Sequence, residues 1–149
     1  MLKFIRSTSL KVICLILVLV CVGFCFAFPH KVDTAKNMLI AFYFIQKGDK
    51  QYANQDLIGA INYYQRALAH YPYHAKANYN LANILAVYED YISALNYYEK
   101  AVLYKPKFMN ARIALGILLS EHFFEYDRAI KEYDTSIKNA PFTASLSLT

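Results

Sequence analysis

At 149 residues the chain is the size of one domain. With 57% hydrophobic and 18% charged residues it is no disordered tail. The formal charge of +5 is not a nucleic-acid footprint: setting aside Lys3, Arg6 and Lys11 leaves 13 of the 16 basic residues against 11 acidic ones, a charge of +2.

The first element is the basic stretch "MLKFIRSTSLK", followed over residues 12–28 by the uncharged "VICLILVLVCVGFCFAF". This is the pattern of an export signal. Its 17 apolar residues fall between a signal core of about 7–15 and a membrane span of about 17–25. Cys25 and Ala27 suit a cleavage site after Ala27, whereas the missing polar stretch before the cut favours a retained anchor. Both outcomes place the rest of the chain outside the cytoplasm: at the outer face of the cytoplasmic membrane with the N-terminus inside, or periplasmic or secreted after cleavage. Cys14, Cys21 and Cys25 all lie in this segment, so residues 29–149 offer no disulfide, thiol nucleophile or cysteine metal ligand. None of the three follows a small residue, which argues against a lipid-modified cysteine.

Residues 29–40 read as a linker or the start of the first helix. From there the chain repeats itself. "NYYQRALAHYP" at 62–72 returns as "NYYEKAVLYKP" at 96–106, a period of 34. Gly48 and Ala82, Ala60 and Ala94, Tyr64 and Tyr98, Ala67 and Ala101 keep the same spacing. Ala82 to Gly116 is again 34, but Ala94 to Ala129, Tyr98 to Tyr133 and Pro106 to Pro141 are 35. One extra residue therefore falls in "SEHFFEY", 120–126, where a turn between helices would tolerate it.

Each period reads as two helices. "AKANYNLANILAVYE" carries Tyr79, Ala82 and Ala86 at helical spacing. "DYISALNYYEKAVLYKP" carries Tyr91, Ala94, Leu95, Tyr98 and Ala101 likewise, with Asp90 placed to cap its start and Pro106 to end it. Gly48, Ala82 and Gly116 fall where paired helices cross, opposite Ala60, Ala94 and Ala129. A bulky side chain there would push the axes beyond about 8–10 Å.

On these residues the stretch 41–141 is similar to three tetratricopeptide (TPR) repeats, 41–74, 75–108 and 109–143, with a short tail at 142–149. The second copy supplies Leu81, Ala82, Ala94, Tyr98, Ala101 and Pro106. The first supplies Phe44, Gly48, Ala60, Tyr64, Ala67 and Pro72, and the third Leu115, Gly116, Leu119, Ala129, Tyr133 and Pro141. Departures are Lys47 and Gln51 in the first copy, Asn78 and Leu85 in the second, Arg112 and Ser136 in the third.

The resemblance implies an all-α, right-handed superhelix of stacked antiparallel helix pairs, preceded here by the apolar N-terminal helix. It also implies a groove that holds a peptide or protein segment, without catalysis, cofactor or metal. By position the groove residues are Phe42, Ile45, Asp49, Tyr52 and Ala53; Lys76, Tyr79, Asn83, Ala86 and Val87; Asn110, Ile113 and Ile117. Ser120 and Glu121 are left open by the extra residue. For Phe42, Ile45 and Ile113, packing against neighbouring helices is the competing reading. The basic clamp that grips a C-terminal carboxylate in some members is absent, because Tyr79, Asn110 and Ala114 hold its places.

Other constellations carry less. His70 and His74 are separated by Pro72, so no helix presents both to a metal. His122 beside Glu121 and Glu125 reads as a polar loop. The 14 tyrosines fall mostly at core positions, and without a basic stripe they make no stacking surface for nucleic acid.

The partners expected are thus a protein or peptide, the membrane if the first segment is uncleaved, and no nucleic acid. An alternative is a fragment or subunit of a larger envelope-assembly or transferase complex whose activity lies elsewhere. At the C-terminal edge Ile130, Tyr133 and Ile137 lack a following repeat, and Leu146 and Leu148 lack a packing site; a truncated chain, another copy or a partner would account for this, and self-association is the expectation to test.

Overall fold

The structure, a computed structural model, describes residues 12–20 and 29–139. The chain divides into two compact units, Met1–Leu39 and Ile40–Thr149. In the first, residues 12–20 are helical and their apolar side chains are exposed. The rest of the expected export segment, with Cys25 and Ala27, lies outside the described residues. Among those described, no helix is long and apolar enough to cross a membrane. Residues 29–40 form no linker: they are continuous with the first long helix.

Six helices follow in order: α1 (Pro29–Ala53), α2 (Leu57–His70), α3 (Ala75–Val87), α4 (Tyr91–Tyr104), α5 (Met109–His122) and α6 (Tyr126–Asn139). There is no strand among the described residues. The starts follow the sequence signals. Asp56 accepts from the Gly59 amide at 2.9 Å and Asp90 from the Ser93 amide at 3.1 Å, each satisfying a first-turn donor. His74 does the same for α3, its Nδ1 accepting from the Ala77 amide at 3.1 Å.

Within each pair the turn takes three residues, and its middle residue is left-handed without being glycine: Gln55 (φ 63°), Glu89 (φ 61°) and Phe124 (φ 56°). In the first two turns an amide closes back five residues, Asp56 to Gln51 and Asp90 to Leu85, both at 3.0 Å. In the third, the Glu125 amide reaches back six, to Leu119 at 3.0 Å. The extra residue of the third copy is therefore not in the turn. It lengthens α5 to 14 residues against 13 in α3 and is absorbed by a wider closure. The turn geometry is the fixed part, because it orients the second helix onto the first.

The small residues stand at the crossings as the spacing predicts. A Cβ on Gly48 would lie 2.8 Å from the Tyr64 ring, and one on Gly116 would lie 2.5 Å from the Tyr133 ring. Ala82, Ala60 and Ala94 are fully buried. Two apolar cores result. One joins α1, α2 and α3 through Ile45, Tyr64, Leu81 and Ile84, the other α3 to α6 through Ala82, Tyr98, Leu115 and Leu119.

Two departures from the repeat pattern have a structural reason. Asn78 donates to the Pro72 carbonyl at 3.0 Å, and Arg112 Nε donates to the Pro106 carbonyl at 2.7 Å. Each polar residue thus ties a first helix to the proline turn before it. Arg112 also pairs with Glu132, and both side chains are mostly buried. Phe44, in the corresponding place on α1, instead stacks on Tyr63.

The C-terminal edge departs in one detail. Ile130 and Ile137 are exposed, but Tyr133 packs into the second core over Gly116 and does not belong to the uncovered face. Leu146 and Leu148 lie outside the described residues.

Candidate functional site

The first helices of the pairs, α1, α3 and α5, carry the expected groove residues, and their side chains divide into three kinds. Phe42, Tyr52, Val87, Ile113 and Ile117 are exposed, Val87 at 69%. Asp49, Tyr79 and Asn83 are half-buried and engaged with the helix behind them. Ile45 is only 3% exposed and belongs to the first core. It is corrected from groove to core: one helical turn before Asp49, it is turned toward α2 and α3.

The engaged residues form networks. Asp49 accepts from the Tyr64 hydroxyl at 2.7 Å, from Lys76 Nζ at 2.8 Å and from Asn80 Nδ2 at 3.0 Å. Burial first, then the bond to the Asp49 carboxylate, pushes the Tyr64 phenol far above its ordinary value. It therefore stays a donor. In the next copy the Tyr98 hydroxyl donates to Asn83 Oδ1 at 2.7 Å, and burial raises its pKa to about 12. Tyr79 packs between Tyr98 and Phe108, with ring centroids 6.0 and 5.0 Å away. Asn110 is exposed at the start of α5.

Where α5 meets α3 and α4 the surface opens into a cleft lined by Ala86, Tyr91, Tyr98, Ala114, Ile117 and His122. His122 stacks on Tyr91 with centroids 3.7 Å apart. It is the extra residue of the third copy, so the lengthening of α5 places an imidazole at the end of this cleft, where a polar loop was expected. Because α5 is continuous up to it, Ser120 and Glu121 keep the register of Ala86 and Val87. The 35-residue spacing located the surplus but not the ring contact, which depends on Tyr91 of another copy. Ala53 is exposed at the end of α1. His70 stacks on Phe44 and His74 caps α3, so the two imidazoles serve different partners. Burial, then Lys76, lowers the His74 pKa.

Paired antiparallel helices in a 34-residue period, small residues at the crossings and proline turns between pairs define a helical-repeat protein. No protein-family model matches the chain, and no curated protein sequence matches it. Solved structures do. MamA is similar over 66% of this chain at 25% identity with a TM-score of 0.61, and the match spans 57% of the MamA chain. The TPR2B-domain–pHsp70 complex of yeast Sti1 is similar over 68% of this chain and 80% of its own, at 22% identity and a TM-score of 0.61. The second TPR of Spaghetti (RPAP3) bound to the HSP90 peptide SRMEEVD is similar over 77% of this chain and 99% of its own, at 17% identity and a TM-score of 0.69. The chain has a tetratricopeptide-repeat fold.

Proposed function

We propose that this chain is an exported, non-catalytic interaction module that holds a peptide or protein segment against the face of α1, α3 and α5. The observation that carries this reading is the row of exposed apolar side chains on that face: Phe42, Tyr52, Val87, Ile113 and Ile117. Apolar surface gathered on one face favours association, because covering it releases its hydration water. Structures of this fold bound to Hsp70 and HSP90 peptides support the same use.

The segment bound here differs from the acidic peptide SRMEEVD. Lys76 is the one cation among the groove residues, and Asp49 already pairs with it at 2.8 Å. The partner is therefore an apolar, uncharged segment. Panning the full chain against a random peptide library should enrich such segments. Val87→Glu and Ile117→Glu should each abolish capture at an unchanged helical spectrum, and capture retained by both overturns the reading.

Export rests on the basic N-terminus and the apolar run behind it. A reporter enzyme active only outside the cytoplasm, fused after Thr149, should be active; a reporter active only inside overturns this part. The chain also associates with itself through α6.

A further inference from the structure

Along α2 the apolar row Leu57, Ile61, Leu68 packs into the first core under the following pair, and along α4 the row Tyr91, Leu95, Val102 packs into the second. The corresponding row on α6 is Tyr126, Ile130 and Ile137, and these are 58%, 56% and 72% exposed. The stacking side chains are kept, yet none of the described residues covers them.

A second row, flanking the first, changes character at the same place. On α2 it reads Ile58, Asn62, Gln65, Ala69, and on α4 Ile92, Asn96, Glu99, Leu103. On α6 it reads Asp127, Lys131, Asp134, Lys138. All four are exposed, and none joins an ion pair among the described residues. Spacings of four, three and four hold them on one stripe beside the apolar row.

That stripe is complementary to itself in reverse. Two copies of α6 laid antiparallel about a two-fold axis bring the same flank to the same flank, since an isologous contact uses one patch twice. Asp127 then faces Lys138 of the partner subunit, and Lys131 faces Asp134 of the partner subunit. Beside the charged stripes Ile130 comes nearly level with Ile137 of the partner subunit, and both leave water. We infer that the uncovered face of α6 is a homodimer contact whose occupant is the same face of a second copy, in antiparallel register. This specifies the self-association proposed above and is independent of the groove.

The test uses the full chain carrying two different tags, co-expressed and co-purified in one mild detergent. Wild-type copies should co-purify. The all-basic variant Asp127→Lys/Asp134→Lys and the all-acidic variant Lys131→Glu/Lys138→Glu should each lose self-capture by roughly tenfold or more, because like charges then face each other across the two-fold axis. Mixing the two variants should restore capture to within about twofold of wild type. Carbodiimide cross-linking of mixed isotope-labelled wild-type copies should join Asp127 to Lys138 between copies. Within one helix those residues are about 16 Å apart, so a zero-length link cannot be internal.

Wild-type copies that do not co-purify overturn the inference, with the face then covered by residues 140–149 or by a different protein. Charge variants that keep self-capture, or a mixture that fails to recover at an unchanged helical spectrum, overturn it as well. Peptide capture by the same preparations reads the groove separately and should be unchanged in both charge variants.

Discussion

The pairs α3–α4 and α5–α6 occupy the same backbone frame but satisfy it differently. In α3–α4 the crossing is Ala82 against Tyr98, and Tyr98 bonds to Asn83. In α5–α6 the crossing is Gly116 against Tyr133, and Ile117 stands where Asn83 would accept. A histidine caps α3, whereas Phe108 gives α5 no side-chain cap. The polar hold that α5–α6 lacks at these points it regains through Arg112, which bridges the Pro106 carbonyl and Glu132. The frame thus fixes shape and small residues at crossings, while the polar contacts are interchangeable among positions.

The largest break should come from removing the substitute hold. Arg112→Ala leaves Glu132 mostly buried without its partner, which typically costs about 3 kcal/mol or more. Restoring an apolar pair with Arg112→Leu/Glu132→Tyr, on the pattern of Phe44 and Tyr63, should recover most of it in thermal melts.

Ala82→Leu comes next. Its added volume enters a fully buried crossing and should cost about 1–3 kcal/mol. A variant that melts like wild type would mean that α3 and α4 do not cross at Ala82.

A smaller effect separates the two tyrosines. Tyr98→Phe strands the Asn83 acceptor and should cost about 1 kcal/mol, while Tyr133→Phe, opposite Ile117, should cost less than half of that. Equal losses in denaturant titrations would erase the contrast.

The last effect, no larger than that of Tyr98→Phe, is that of pH on the cap of α3. The folded pKa of His74 lies below its unfolded value of about 6.5, so folding favours the neutral ring whose Nδ1 accepts from Ala77. Its contribution is fully present above the unfolded pKa and is lost as pH falls through the lower folded one. Lys76 adds to that preference and Asp49 opposes it. Melting points should fall as pH drops through the unfolded value, by at most the equivalent of a lost cap, about 1 kcal/mol, and His74→Asn should flatten the curve. An unchanged slope in His74→Asn would assign the effect to other groups.

The helix pairs, their crossings and the cap at Asp90 were legible because each depends on residues a fixed distance apart in sequence. The site was legible only by position. Repeat position alone could not separate Ile45, turned into the first core, from Phe42, left outside it, because both are apolar on the same helix. The ring contact of His122 with Tyr91 and the ties from Asn78 and Arg112 to proline carbonyls join different copies, and no local pattern announces them. The left-handed residues Gln55, Glu89 and Phe124 gave no glycine signal, although that conformation costs a side-chain-bearing residue about 1–2 kcal/mol. Packing of the second helix onto the first outweighs this cost.

Asp49 has a consequence for how the molecule opens. Its carboxylate joins α1 to α2 through Tyr64 and to α3 through Lys76 and Asn80. In a linear array, cooperativity equals the strength of the junctions between neighbours. The first junction therefore resists separation by a shared charge as well as by packing, and amides of α1 to α3 should exchange with solvent together. At the far end α6 is held to α5 by the mostly buried Arg112–Glu132 pair, while its charge contact to α4 is the exposed pair Arg128–Glu99, of low worth in water. Opening should therefore begin with the pair α5–α6 and travel inward to the Asp49 junction.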